Sequence, residues 1–290
     1  MLTAIVPVSD MAGQLQNLQN WLVLIKNLDL KVIIVHDFRD QQTLNELREI
    51  TANLMPGKCD LQSGVFGSPG AARNAGLDIA ESKYICFWDS DDLPQPKNIC
   101  DFLSKQQGDF DILVGQFLTI GYSMNEKMTE LSQDQSVLDI AFKPGLWRMI
   151  FLREFIDSHR FKSMKMGEDQ LFFAELIKLD PRLVFTDGHF YNYVVGRIGQ
   201  LTSNSESKLE LITTYQALLK LRVGTSGYQF EYLSATIIRL WFSLLRMLKF
   251  RTGITRLLRS LITPELILNR HPLVHLRMFF FVTSKLFKEQ

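Results

Sequence analysis

Residues 68–92 read SPGAARNAGLDIAESKYICFWDSDD. Ser68 supplies the side-chain oxygen of a helix N-cap, and Pro69 the fixed backbone angle of a first helical residue, so a helix opens here with Arg73 one turn inside it. From Tyr84 the chain changes to YICFWD, a continuous apolar run of the kind found in strands buried on both faces. Asp89, Asp91 and Asp92 then crowd three carboxylates into four positions. A helix, a buried strand and polar chemistry at the strand's carboxyl end predict an α/β sheet that binds its ligand beyond the strand ends.

The preceding chain repeats the theme. LTAIVPV reads as a short buried strand. The stretch to Asn27, with Leu15, Leu18, Leu22 and Ile25 on one stripe, reads as an amphipathic helix. KVIIVHD is a second buried strand, and a helix from about Gln42 to Leu54 is closed by Pro56 and Gly57. The fold class expected is α/β, a mostly parallel sheet with flanking helices joined by right-handed crossovers, followed by a C-terminal helical region.

The bulk numbers set limits. With 290 residues and 46% hydrophobic side chains, the chain has room for one large domain or two modest ones. Cys59, Cys86 and Cys100 lack CxxC spacing, which fits neither a disulfide framework nor a zinc site and points to reduced thiols in a cytoplasmic protein. MLTAIVPVSD has no basic start and meets Pro7 and Asp10 early, as a first strand does and a signal peptide does not. Arg239, Arg246 and Lys249 interrupt the best candidate for a spanning helix. The net charge of +1 hides a division: from Lys208 onward thirteen basic residues face four acidic ones, a local +9, which leaves −8 for the rest.

Three neighbouring carboxylates repel one another, and a hard divalent cation, Mg²⁺ or Mn²⁺, relieves that by joining them. Taken alone, DSDD reads equally as a solvated acidic turn closed by Leu93 and Pro94. The helix start at Ser68 aims N–H groups and Arg73 at one place, which is how phosphate is received; alone it is only a helix start with a solvated arginine. The two features together favour a metal-bridged diphosphate. Further along, KMGEDQLFFAELIKL sets Glu168 and Asp169 at the start of an apolar helix, where the helix dipole alone accounts for acidic residues.

Four pieces in order, TAIVPVSD, VIIVHD, GSPGAARNAGL and DSDD, together with the later ED pair, resemble the GT-A glycosyltransferases of the large inverting family 2. The resemblance covers residues 1–105 and the ED motif. It implies a GT-A, Rossmann-like domain over 1–205, with a donor-binding half at 1–105 and an acceptor half at 106–205, and sets apart the basic helical region 206–290. It implies that Pro7, Asp37, Arg73 and Asp89 bind the nucleotide donor, Asp37 at the base or ribose, Arg73 at the base or phosphate and Asp89 at the ribose. Asp91 would hold Mg²⁺ or Mn²⁺ on the diphosphate, with Asp92 and Glu168 in support and Asp169 as catalytic base. HFYNYVVGRIGQLTSN resembles the family's tyrosine-rich strand and basic loop, so that Arg197, between Gly196 and Gly199, would close over the diphosphate; a surface loop with a solvated arginine is the other reading. Departures stand at His36, where the family commonly has an acid, and at Phe38 and Arg39, where it has a small Gly-Ser pair.

The substrate implied is a nucleotide-diphosphate sugar, a UDP-sugar favoured, and the acceptor a glycan or lipid-linked hydroxyl in surface polysaccharide synthesis. Phe142, Trp147 and Arg148 are candidates for an acceptor groove, while core packing also accounts for the two aromatics. ATIIRLWFSLLRMLKFRTGITRLLRSLI interleaves apolar pairs with cations. Such helices either lie in an anionic membrane interface, which would make the protein peripheral at the inner face of the cell membrane, or pack their apolar faces on the catalytic domain. No nucleic-acid motif accompanies the charge, so no nucleic-acid partner is expected. A nucleotidyltransferase would want a Gly-rich basic loop after the first strand, which PVSDMAG is not. A catalytically inactive membrane scaffold on a transferase fold is the non-enzymatic alternative.

Overall fold

The computed structural model describes residues 1–53, 57–106, 108–121, 131–196 and 207–248, with side chains to Leu244 in the last helix. In chain order the elements are β1 (Leu2–Val8), α1 (Gln16–Leu22), β2 (Leu30–Asp37), α2 (Gln41–Ala52), β3 (Cys59–Gly64), α3 (Pro69–Ile79), β4 (Tyr84–Phe87), β5 (Leu93–Pro94) and α4 (Pro96–Lys105). They continue with β6 (Ile112–Gly121), α5 (Val137–Phe142), β7 (Met149–Leu152), α6 (Arg153–Ile156), α7 (Glu168–Ile177), β8 (Leu183–Val195), α8 (Leu211–Arg222) and α9 (Gly227–Leu248).

Eight strands form one sheet in the order β3-β2-β1-β4-β7-β6-β8-β5. The first four run parallel, with Leu2 opposite both Leu30 and Tyr84, so the ends of β1, β2 and β4 come level beside one another. β7 enters antiparallel between β4 and β6, and β8 runs parallel to β6 with its register broken around Gln116. The apolar runs in β1, β2 and β4 reflect burial on both faces, as expected of strands covered by crossover helices. α3 lies hard against β1 and β2 because Gly76 has no side chain: a Cβ there would run into Cγ2 of Ile5.

Local chemistry explains the boundaries. Asp40 caps α2 by accepting the Thr43 N–H at 2.6 Å, and Ser68 caps α3 by accepting the Ala71 N–H at 3.2 Å with Pro69 as first residue. The first helix is shorter than its apolar stripe suggests, since Val23–Asn27 tightens into a 3₁₀ turn. Edge strand β3 reads CDLQSG, too polar to announce itself, and only its pairing to β2 makes it a strand. The closure of α2 expected at Leu54 and Pro56 lies outside the described residues. The three cysteines are free thiols, and burial pushes Cys59 up to about 12 and Cys100 up to about 11.

The chain divides into two compact units, residues 1–135 with 145–201 and residues 136–144 with 202–290. The second contains α5, α8 and α9. Ser136 and Asp139 form a reciprocal capping box at the start of α5, and α9 packs against α5 and α8, with Arg239 Nε donating to the Ala141 carbonyl at 2.7 Å. Tyr232, Leu233, Ile237, Leu240 and Leu244 are buried along α9. Among the described residues no helix is long and apolar enough to cross a membrane. The basic stretch from Lys249 onward, on which most of the membrane expectation rests, lies outside the described residues.

Candidate functional site

The polar residues predicted from sequence collect at the carboxyl ends of β1, β2 and β4. Pro7, half-buried in β1, pairs in register with Val35 of β2. Asp37 ends β2. Its Oδ1 accepts the Phe66 N–H at 2.7 Å and the Gly67 N–H at 3.1 Å, and its Oδ2 faces Arg39 Nη2 at 3.3 Å. Burial pushes the carboxyl up, but these N–H groups outweigh it and hold Asp37 below its ordinary range, so it is an anion. Beside it His36 is fully buried, its Nδ1 3.1 Å from Ser63 Oγ, and desolvation lowers its pKa, keeping the ring neutral.

Arg73 is the central cation, and it is not solvated. Its side chain is 10% exposed; Nη1 donates to Glu168 Oε1 at 2.7 Å and Nη2 to Asp89 Oδ1 at 2.9 Å, while the guanidinium lies 5.5 Å from the centre of the Phe161 ring. One buried arginine thereby ties the end of β4 to the start of α7. Desolvation opposes its charge, yet the three acids around it, Asp89, Glu168 and Asp169, raise its pKa. Burial and the neighbouring Asp169 push Glu168 up to about 7, against the downward pull of Arg73.

The DSDD turn separates its carboxylates. Asp89 faces Arg73, and its N–H donates to Tyr191 Oη at 3.0 Å. Asp92 turns inward, 1% exposed, where Oδ1 accepts the Val194 N–H of β8 at 2.8 Å and Oδ2 has no hydrogen-bond partner. Burial first, then Asp89 and Asp91, push its carboxyl well above the usual range. Asp91 is half-buried, and its carbonyl accepts Asn17 Nδ2 at 2.6 Å. Among the described residues no three His, Cys, Asp or Glu side chains converge as a metal cage, so the expected joining of the three aspartates by one cation is corrected: they diverge. The donor chemistry at Asp91 nevertheless suits Mg²⁺ or Mn²⁺, which are commonly held by one or two carboxylates plus substrate phosphates.

Asp169 stands in the first turn of α7, as its sequence predicts, after Gly167 at φ 88°, a left-handed angle that favours glycine. Its Oδ1 accepts the Gln170 N–H at 2.8 Å, while adjacent Glu168 turns away to Arg73. The two acids of the ED pair thus have separate surroundings. Arg197 and Gly199 lie outside the described residues.

Several site residues escaped the sequence reading. Asn74 bridges to the backbone of Phe161, its Nδ2 donating to the carbonyl at 2.9 Å and its Oδ1 accepting the N–H at 2.8 Å. Tyr191 supports the DSDD turn from β8, and Trp147 stacks on it with ring centres 4.6 Å apart. Trp147 is therefore packed on tyrosines, also stacking on Tyr193, and Arg148 is buried against Asp134 and the Phe117 ring. The tyrosines stood in plain view in HFYNYVV; nothing local in the sequence tied them to residues a hundred positions earlier.

Comparison with known proteins bears on this arrangement. A family model described as glycosyl transferase family 2 matches residues 4–169, more than half of the chain. The chain belongs to glycosyl transferase family 2. Within that family it is 27% identical over 183 residues to EpsH of Bacillus subtilis (strain 168), a protein named as a glycosyltransferase, covering 56% of this chain and 53% of EpsH. It is 26% identical over 180 residues to the poly(ribitol-phosphate) beta-N-acetylglucosaminyltransferase TarP of Staphylococcus aureus (strain N315), covering 58% of this chain and 54% of TarP. The chain thus spans about half the length of the curated relatives it matches. The crystal structure of S. aureus TarS residues 1–349 shares the fold with a TM-score of 0.64 and 17% identity, over 100% of this chain and 92% of that one. The same protein has been solved in complex with UDP-GlcNAc and matches with a TM-score of 0.63 and 16% identity, over 97% of this chain and 79% of that one. The α/β architecture with a helical C-terminal region is accordingly the GT-A fold that the four motifs imply.

Proposed function

We propose that this chain is a metal-dependent inverting glycosyltransferase that moves a sugar from a nucleotide-diphosphate sugar, a UDP-sugar favoured, to a hydroxyl of a glycan or lipid-linked acceptor. The observation that carries the reading is the Arg73 brace, which holds the DSDD turn at the end of β4 and the ED pair at the start of α7 to one guanidinium. Pro7, Asp37 and Asp89 line the nucleoside side, and Arg197 closes from the loop after β8. Asp91 holds Mg²⁺ or Mn²⁺, which when bound neutralises charge developing on the departing nucleoside diphosphate. Asp169 accepts the acceptor's hydroxyl proton as that oxygen attacks the anomeric carbon opposite the leaving group, in a single displacement that needs no covalent intermediate. Glu168 and Asp92 support this by fixing Arg73 and β8. In this reading residues 1–105 serve the donor, 106–205 the acceptor, and 206–290 meet an anionic membrane surface on the cytoplasmic side.

The test is thermal unfolding of the full chain with Mn²⁺ and each of UDP-, GDP- and dTDP-sugars, since a ligand of the native state raises the melting point by mass action, by about 2.7 kcal/mol at a hundredfold excess over Kd. One nucleotide should stabilise the chain, and chelation should remove most of the effect. No shift with any nucleotide defeats the proposal. Asp169→Asn should bind the donor as well as the native chain and transfer no sugar; loss of donor binding would take the base role from Asp169. Flotation with anionic and neutral liposomes checks the membrane part, and indifference to lipid charge ends it.

A further inference from the structure

The buried carboxylate at the end of β2 has little left to offer a ligand. Asp37 is 6% exposed, its Oδ1 takes two backbone N–H groups and its Oδ2 faces both Nε and Nη2 of Arg39 at 3.4 and 3.3 Å. Arg39 differs in every respect. Its side chain is 48% exposed, and among the described residues its Nη1 donates to no acceptor. The residue before it, Phe38, is 39% exposed and anchored by its N–H to the Gly64 carbonyl at 2.7 Å, so an apolar ring and a cationic fork are presented together at the sheet's carboxyl edge. Val65, 85% exposed, stands in the turn whose next N–H binds Asp37.

We propose that Arg39 is the residue that selects the base of the donor nucleotide, with Asp37 acting through it as a positioning residue. The inference rests on the transferase reading above. A guanidinium has five N–H donors and no acceptor, and Asp37 uses the Nε and Nη2 side of the fork. The Nη1 side matches a base edge that carries carbonyl oxygens, as uracil and guanine do, and opposes one that carries an amino group, as cytosine and adenine do. The Phe38 ring supplies the stacking surface, which is indifferent to base identity. Uracil and cytosine differ at one position, a carbonyl against an amine, so the pair isolates the contribution of Arg39 from stacking and from the diphosphate.

The experiment is calorimetric titration of the full chain with UDP, CDP, GDP and ADP in the presence of Mn²⁺, for the native chain, Arg39→Ala and Arg39→Lys. The native chain should bind UDP about tenfold more tightly than CDP, the discrimination of one good side-chain pair to a base edge. Arg39→Ala should shrink that ratio to below about twofold by weakening UDP, leaving CDP little changed, and Arg39→Lys, which keeps the charge and loses the fork, should fall between. Melting temperatures of both variants report that the fold is intact. A UDP-to-CDP ratio unaltered in Arg39→Ala, or a native chain that binds all four alike, overturns the assignment while leaving the transferase reading in place. A native chain that binds no nucleotide overturns both.

Discussion

Replacing Arg73 with methionine removes the cation between two acids while keeping the apolar stem over Phe161. The native guanidinium is 10% exposed and donates to Glu168, itself 7% exposed, and to Asp89, which is 33% exposed. Stripping one partner from a buried ion pair costs about 3–5 kcal/mol, because the other charge is left in low dielectric. Asp89 regains water, so the loss belongs at the lower end, about 3 kcal/mol, nearly all of it from Glu168. At about 2–4 °C per kcal/mol for a unit of this size, the melting point should fall by roughly 6–12 °C. The loss must also depend on pH. Burial and Asp169 already raise Glu168 to about 7, and without Arg73 nothing listed among its neighbours' effects holds it down as strongly, so at pH 5.5 it is protonated and the methionine is nearly harmless to it. Urea unfolding at pH 5.5 and 8 reads both quantities, and the double variant Arg73→Met, Glu168→Gln should recover more than half of the loss at pH 8. An equal loss at the two pH values, or less than about 1 kcal/mol at pH 8, refutes the buried-brace reasoning.

Glu168→Gln alone tests the sign of the linkage. A carboxyl raised from 4.5 to about 7 in the folded state favours folding while it is protonated, so its contribution is complete below about pH 4.5 and is lost as pH rises to about 7. The variant should therefore gain on the native chain across that window, by at most about 3 kcal/mol, in paired denaturation curves. Asn74→Ala should cost about 2 kcal/mol for two hydrogen bonds to Phe161, and kinetics should show kcat falling more than KM rises because the segment leading to Asp169 loosens. Gly76→Ala should lower stability by about 1–3 kcal/mol through overpacking against Ile5, measured by urea midpoint with nucleotide affinity unchanged.

How far the sequence could be read follows from where each signal lies. β1, β2 and β4 are buried on both faces and declare themselves as apolar runs; β3, at the edge, carries Asp60, Gln62 and Ser63 and has no local pattern to declare. Ser68 and Pro69 predict the start of α3 because capping is settled within four residues. The divergence of Asp89, Asp91 and Asp92 could not be read, since it is decided by Arg73, Tyr191 and Val194, two of which lie on β8, about a hundred positions later. The same holds for Asp37: its sequence neighbourhood shows an aspartate at a strand end, while its commitment to Phe66, Gly67 and Arg39 depends on how β3 returns beside β2.

The stretch Gly70–Asn74 shows why the reading of a phosphate cradle captured only part of the motif. Positions 70, 73 and 74 are spaced three and four apart, so they share one face of α3. That face is turned to the segment 161–168: a Cβ at Gly70 would stand 2.5 Å from the Lys162 carbonyl, Arg73 holds Glu168, and Asn74 holds both backbone groups of Phe161. Even the cap takes part, with Ser68 Oγ 3.4 Å from Ser163 Oγ. One helical turn near the chain's start thereby fixes the segment that delivers the ED pair, and through Asp89 it fixes the DSDD turn as well. Residues that look in sequence like two separate motifs, one for a leaving group and one for a base, are thus held in one geometry by a third, and a change on that helix face should disturb Asp169 before it disturbs the nucleotide.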